Sequence, residues 1–227
     1  MMTWLSRCGA LLVALAAPTV ALADDDKAKL VEPPGAKPPA AEPATAFSHK
    51  GQFEVSARLA LGLRAIATYG DENYCGKTDA SNTNGNAPVC TGRAPFALDL
   101  EVGYGVAKRI DTFVEMRIGL EADFGSVAGM TNGPHPFHIS PGARFFFSDA
   151  KRTKLFTTAQ VVFDFAGYED AAGKSRGSDF GMRNMNGLWF DLDKAYGVYG
   201  YVGETATFVR WMRFELEAGV GFQGRYR

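Results

Sequence analysis

Three groups of residues in this sequence carry side chains of a type that does chemistry. His138 and Ser140 stand two apart, so an extended strand would present an imidazole and a hydroxyl on one face, as a base and the nucleophile it activates require. Such a pair also needs a carboxylate to orient the imidazole, and none follows at a suitable spacing. The plainer reading of His138 and Ser140 is polar filler on a strand face. Cys75 and Cys90 share one polar segment rich in Gly and Asn. Two thiolates with no histidine between them do not complete a zinc shell, so a loop-closing disulfide is the first reading of this pair. Glu169, Asp170 and Asp179 lack the spacing of a calcium loop and read as solvated acids. No phosphate loop, heme motif or metal cluster appears, so the expectation is no catalytic residue, no metal and no cofactor.

The elements that would position these residues are strands. From Arg213 to Tyr226, Phe214, Leu216, Ala218, Val220 and Phe222 alternate with Arg213, Glu215, Glu217, Gln223 and Arg225 at intervening positions. A period of two held over that length is a strand with two differently solvated faces. The same alternation runs through 52–67, 95–107, 112–124, 137–147 and 154–165, and less cleanly through 180–192 and 196–208, where Trp189 falls on the polar parity. Pro141 lies inside its run and predicts a bulge or local break. Eight strands bring both ends of the domain to one side, with long connections at 69–93, 125–136 and 166–179 and short turns between them.

Ahead of the strands, residues 1–23 have a basic Arg7, an apolar run and Ala21-Leu22-Ala23 before three aspartates, which reads as a secretory signal peptide. Residues 24–50 are rich in Lys, Ala, Glu and Pro and read as a solvated periplasmic spacer. Residues 51–227 then form the barrel. With 24 basic and 25 acidic residues the chain has no basic excess, which argues against a nucleic-acid partner.

Parity alone does not say which face is inside. Export, charges of alternating sign on one face, and aromatics near strand ends favour an all-β, eight-stranded antiparallel up-and-down transmembrane barrel, polar within and apolar toward lipid. A soluble secreted lipocalin-like ligand carrier is the opposite arrangement. In the membrane version Glu54, Arg58, Arg64, Asp99, Glu101, Glu115, Arg117, Glu121, Asp123, Arg144, Asp164, Arg213, Glu215, Glu217 and Arg225 line the lumen as a packed ion-pair network, because so narrow a barrel has room only for side chains or one small ligand. The first strand's Glu54, Arg58 and Arg64 are then the natural partners of Glu215, Glu217 and Arg225 on the last.

On these residues, and on the ending Gly219-Val220-Gly221-Phe222-Gln223-Gly224-Arg225-Tyr226, the chain from 51 to 227 resembles the small eight-stranded outer-membrane barrels of Gram-negative bacteria, the group of OmpX, OmpW and the OmpA membrane domain. The resemblance implies an outer-membrane location and a structural, adhesive or small-solute role. It also implies outer-membrane lipid as surroundings and the barrel-assembly machinery as a partner during biogenesis, with Phe222 and Tyr226 as the assembly signal, although Arg227 follows where such proteins end on an aromatic. His138-Ile139-Ser140 looks like the His-x-Ser pair of lipid A deacylases, which share the barrel and supply the enzymatic alternative. That chemistry belongs at the lipid-facing wall, whereas this parity turns both side chains into the lumen.

Overall fold

Alternation of side-chain type is realised as extended backbone throughout the computed structural model, which describes residues 47–67, 69, 89–123, 134–169 and 175–227. The segment read as a signal peptide, most of that read as a spacer, and Cys75 lie outside those residues. The barrel strands are β1 (Phe53–Ala67), β2 (Val89–Ala107), β3 (Ile110–Gly119), β4 (Phe137–Phe146), β5 (Thr153–Asp164), β8 (Asp179–Asp191), β9 (Tyr196–Thr207) and β10 (Met212–Tyr226), while β6 (Tyr168–Glu169) and β7 (Ser175–Arg176) pair in a small hairpin of their own. Each barrel strand is antiparallel to its neighbours, and β1 pairs with β10 as well as β2, so the sheet closes with no free edge. Residues 108–109, 147–152 and 192–195 form short turns at the end that holds both Phe53 and Tyr226. The connections after β1, β3, β5 and β9 lie at the other.

The faces are those of a barrel turned inside out. Leu63 and Val220 are each 66% exposed on the outer wall, whereas Asp99 and Arg144 inside are 0% exposed. Aromatic pairs ring the outer wall at both rims. Phe53 against Tyr104 and Tyr196 against Phe222, with centroids 5.0 and 5.9 Å apart, sit at the short-turn end. Phe163 and Phe208 flank Phe180 at 5.5 and 5.6 Å at the long-connection end.

Two irregularities change the boundaries that the alternation predicts. Strand β2 begins at Val89, inside the segment read as a loop, because a register shift opposite Ala60 and Gly62 absorbs one residue near Pro95 and reverses the parity. Ala94 is therefore buried while Thr91 and Arg93 are exposed. Strand β3 stops early, at Gly119, where the chain takes its hydrogen bonds from outside the ladder: Gly119 N–H donates to Pro136 O at 2.7 Å and Leu120 N–H to Phe96 O at 2.8 Å. Pro141 produces the expected local break. The β4–β5 ladder skips from Ile139↔Phe163 to Gly142↔Gln160 in unchanged register, while the β3 side runs on through Val114↔Pro141.

Glycine on the inner face makes room for the largest lumen side chains. Gly219 stands opposite Tyr201 and Gly221 opposite Tyr199. A Cβ on Gly219 would come within 2.5 Å of the Tyr201 ring, and one on Gly221 would overlap the Tyr199 ring. Each tyrosine ring takes the space that a side chain on the opposing glycine would need.

Candidate functional site

The lumen is the place where chemistry-bearing residues converge, and it is filled in tiers. At its centre Asp99 collects three guanidinium groups: Arg58 Nε at 2.9 Å, Arg117 Nε and Nη2 at 2.7 and 2.9 Å, and Arg183 Nη2 at 3.3 Å. Glu115 binds both Arg58 and Arg183, and Glu217 binds Arg183 along with Arg117, the latter at 2.8 Å. These pairs span β1, β2, β3, β8 and β10, so they cross the lumen and tie opposite walls. Toward the long connections a second set joins Arg64 to Asp123 and Glu215, and Arg213 to Asp164 at 2.8 Å.

Below the central tier, toward the short turns, lies an aromatic one. Trp189 stacks on Tyr199 at 4.7 Å with planes 6° apart, and Phe146 and Phe156 meet it edge-on at 5.4 and 6.0 Å. Trp189 Nε1–H is satisfied by Asp191 Oδ1 at 2.9 Å. The Arg144 guanidinium lies 5.0 Å over Phe113 and 5.2 Å over Trp189 and also bonds Glu101 at 2.7 Å, joining the two tiers.

A strap closes the bottom of the lumen. The spacer read as solvated up to residue 50 instead enters the barrel: His49 is 1% exposed. A turn places it there. Gln52 N–H donates to His49 O at 3.0 Å and Gly51 sits at φ 76°, the left-handed conformation that this turn needs and glycine accepts without strain. Gly51 N–H and Gln52 O both bond Gly105, whose missing Cβ leaves room for the His49 carbonyl. Lys154 Nζ donates to Phe47 O at 2.7 Å. His49 packs against Phe146 and Trp189 at 4.5 and 5.5 Å, and its Nδ1–H donates to Asp111 Oδ2 at 2.8 Å, with Glu54 Oε1 at 3.1 Å from the same nitrogen. Burial pushes the imidazole pKa down, but the nearby Asp111, Asp191 and Glu54 carboxylates outweigh it and carry the group up to about 9.

Of the residues assigned to the lumen from the sequence, all but one are buried inside it; Glu121 is the exception. Because β3 ends at Gly119, Glu121 falls outside the ladder, half-exposed, where it accepts from Phe96 N–H at 3.0 Å and Arg93 at 2.6 Å; these contacts hold its carboxyl below the usual carboxylate range. The expected pairing of first and last strands holds for Arg64 with Glu215 at 2.7 Å. It does not hold for Arg225, which opposes Glu54 in register yet reaches across to Asp191 at 2.7 Å. Glu54 instead meets His49 and the Gln223 amide, and Glu217 turns to Arg117 and Arg183.

Asp179 is no solvated acid. It is buried at the start of β8 and ties down the β9–β10 connection by accepting from Val209 N–H and Arg210 N–H at 2.8 and 3.1 Å. His138 and Ser140 face the lumen, and the carboxylate missing from the local sequence arrives from β5 as Asp164, 3.6 Å from His138 Nε2. Phe222 and Tyr226 are exposed on the outer wall. The side chains of both cysteines fall outside the described residues.

Sequence reading missed His49, Asp111, Lys154, Arg183 and Asp191. Arg183 and Asp191 share the parity of Trp189, so the tryptophan on the polar side was the signal for both. The rule that amides and ionisable groups keep to one face also fails on β8 and β9. There Asn184, Asn186 and Glu204 lie on the outer parity, with Asn184 donating to Thr158 O and Asn186 to Asn184 Oδ1, each at 2.5 Å.

No protein-family model matches the sequence, and no curated protein matches it. Among solved structures the fold is similar to the N-terminal β-barrel domain of Pseudomonas aeruginosa OprF, at 11% identity and a TM-score of 0.50 over 78% of this chain and 98% of that one. It is likewise similar to the Neisserial surface protein A, at 13% identity and a TM-score of 0.53 over 78% of this chain and all of that one. At such identities the likeness speaks for the fold, and the fold is that of the small eight-stranded outer-membrane barrels.

Proposed function

We propose that this chain spans the outer membrane as a non-catalytic barrel with a packed lumen, and that its role is structural or adhesive, exerted by the long connections on the outer side. The observation that carries the reading is the inversion of faces: Leu63, Val220 and Leu155 are exposed around the wall while the charged residues of β1, β3 and β10, with Asp99 and Glu101 of β2, are buried. In water that arrangement exposes a continuous apolar band, and in lipid the same band is solvated. Aromatic pairs at both rims fit the two interfaces of such a band. The soluble carrier is disfavoured on the same ground, since its apolar face would have to point inward.

Catalysis on lipid is disfavoured by placement, for His138 and Ser140 are enclosed by the wall that separates them from any acyl chain. On this reading the short turns and the strap face the periplasm. Leader removal and recognition of Phe222 and Tyr226 by the assembly machinery belong to its biogenesis.

The test is fractionation followed by electrophoresis. Protein expressed with its leader should partition with outer membranes and migrate differently before and after boiling in detergent, as a folded membrane barrel does. Recovery in the soluble periplasmic or secreted fraction, with no heat-dependent shift, would overturn the reading.

A further inference from the structure

At the bottom of the lumen His49, Glu54 and Asp111 bring three side chains of metal-ligating type together, all buried and with their donor atoms within 4.8 Å of one another; among the described residues no other such group occurs. We propose that these three residues hold a divalent transition-metal ion, which fastens the segment ahead of β1 to the barrel mouth.

Three observations carry the proposal. The first is that donors are too few. Nδ1 has one proton, and it goes to Asp111 Oδ2 at 2.8 Å. Glu54 Oε1, buried and only 3.1 Å from the same nitrogen, accepts no hydrogen bond, and neither does Asp111 Oδ1. Buried carboxylate oxygens without a donor are costly, and a cation in place of that single proton satisfies both carboxylates at once.

The second observation is local charge. The neighbouring cations are already engaged: Lys154 and Arg225 hold Asp191 at 2.9 and 2.7 Å, and Arg144 holds Glu101 at 2.7 Å while staying 3.7 Å or more from Glu54 and Asp111. With Lys154 and Arg225 set against Asp191, Glu54 and Asp111, the group holds two positive charges to three negative ones around the imidazole, and a metal ion on Nδ1 supplies the missing positive charge in place of a second imidazole proton.

The third is size. Metal bonds of about 2.1 Å set ligand atoms about 3.0 Å apart when they meet at right angles. The Nδ1 to carboxylate separations of 2.8 and 3.1 Å bracket that edge. One nitrogen with two carboxylate oxygens suits zinc and its first-row neighbours, with water or the second carboxylate oxygens completing the shell.

Metal on Nδ1 leaves Nε2 as the N–H, and Asp191 Oδ1, 3.7 Å away, is the carboxylate placed to accept it. Lys154 Nζ, 3.0 Å from Nε2, opposes an N–H there and keeps Asp191 and Phe47 O as its other partners. Lys154 is thus the competing cation, and removing it should strengthen the site.

The experiment uses the full chain refolded in detergent in the presence of zinc, freed of excess metal, and analysed for zinc per chain. Trp189, 5.5 Å from the His49 ring, gives a second readout: cobalt at the site should quench its fluorescence in a background carrying Trp4→Phe and Trp211→Phe. Wild type should retain about one zinc per chain and show saturable quenching. His49→Ala and Asp111→Asn should weaken binding tenfold or more, and Lys154→Met should tighten it several-fold. Glu54→Gln repeats the test should either of the first two fail to give the heat-dependent shift of a folded barrel. Wild type that folds without retaining metal, or folded His49→Ala that binds as wild type does, overturns the proposal. The readout needs only a folded barrel in detergent, so it stands apart from where the barrel resides in the cell.

Discussion

Asp99 shows what a single side chain contributes to this interior. It is fully buried and faces Arg58, Arg117 and Arg183 from three strands, so its removal would leave three guanidinium groups crowded in a buried space. Burying such a group is costly by itself, yet breaking it is costlier, since the unpaired partners keep their desolvation penalty. Asp99→Asn preserves the shape and removes the charge; chemical denaturation of the folded protein in detergent should show it about 3–5 kcal/mol less stable than wild type. A loss below about half a kcal/mol would mean that Glu101, Glu115 and Glu217 already neutralise the cluster. At this scale the sequence told which residues face inward, because parity is a local property. It did not tell their partners. Arg225 opposes Glu54 on the neighbouring strand yet bonds Asp191 on β8, for an arginine is long enough to cross a barrel this narrow.

At the scale of elements, alternation gave the strands and their number, and what it missed has identifiable causes. The register shift near Pro95 reverses the parity of β2, which hid its first residues, Val89 to Arg93, among loop residues. Gly105 and Gly51 let the chain fold His49 into the lumen, and no periodic pattern announces a turn whose purpose is a contact with a strand many residues away. The β1–β2 connection carries the remaining proposal from the sequence, that Cys75 and Cys90 are joined. Closing a ring of about 16 residues is worth about 3 kcal/mol on the chain-entropy argument. Most of that should act locally, because β1 and β2 are already paired up to Ala67↔Val89 beside it. Intact mass of the unreduced protein should be about two hydrogens below that of the reduced form, as two thiols joining requires. Reduction should speed proteolysis of the connection and leave the heat-dependent shift of the barrel unchanged. Two titratable thiols in the unreduced protein would overturn the pairing.

For the whole molecule the question is whether anything passes through. An eight-stranded barrel encloses a space that side chains can fill, and here they fill it three times over: the His49 strap, the Trp189 and Tyr199 stack, and the arginine cluster around Asp99 lie one above another. A concavity of about 820 Å³ lies on the outer wall between Leu59, Leu188, Phe190, Val220 and Phe222, where lipid would lie. Closure is therefore redundant, and removing one tier should not open a path. In planar bilayers the folded protein should show no steady conductance steps, and neither His49→Ala nor the pair Trp189→Ala with Tyr199→Ala should create them, because the ion pairs crossing from β2 and β3 to β8 and β10 remain in each. Steady ohmic steps from wild type would show that the cluster parts and reseals, returning a small-solute role to the lumen. Their absence in all three proteins would agree with the proposed role at the connections outside the wall, since a barrel that neither conducts nor exposes its inner polar groups presents little else to a partner.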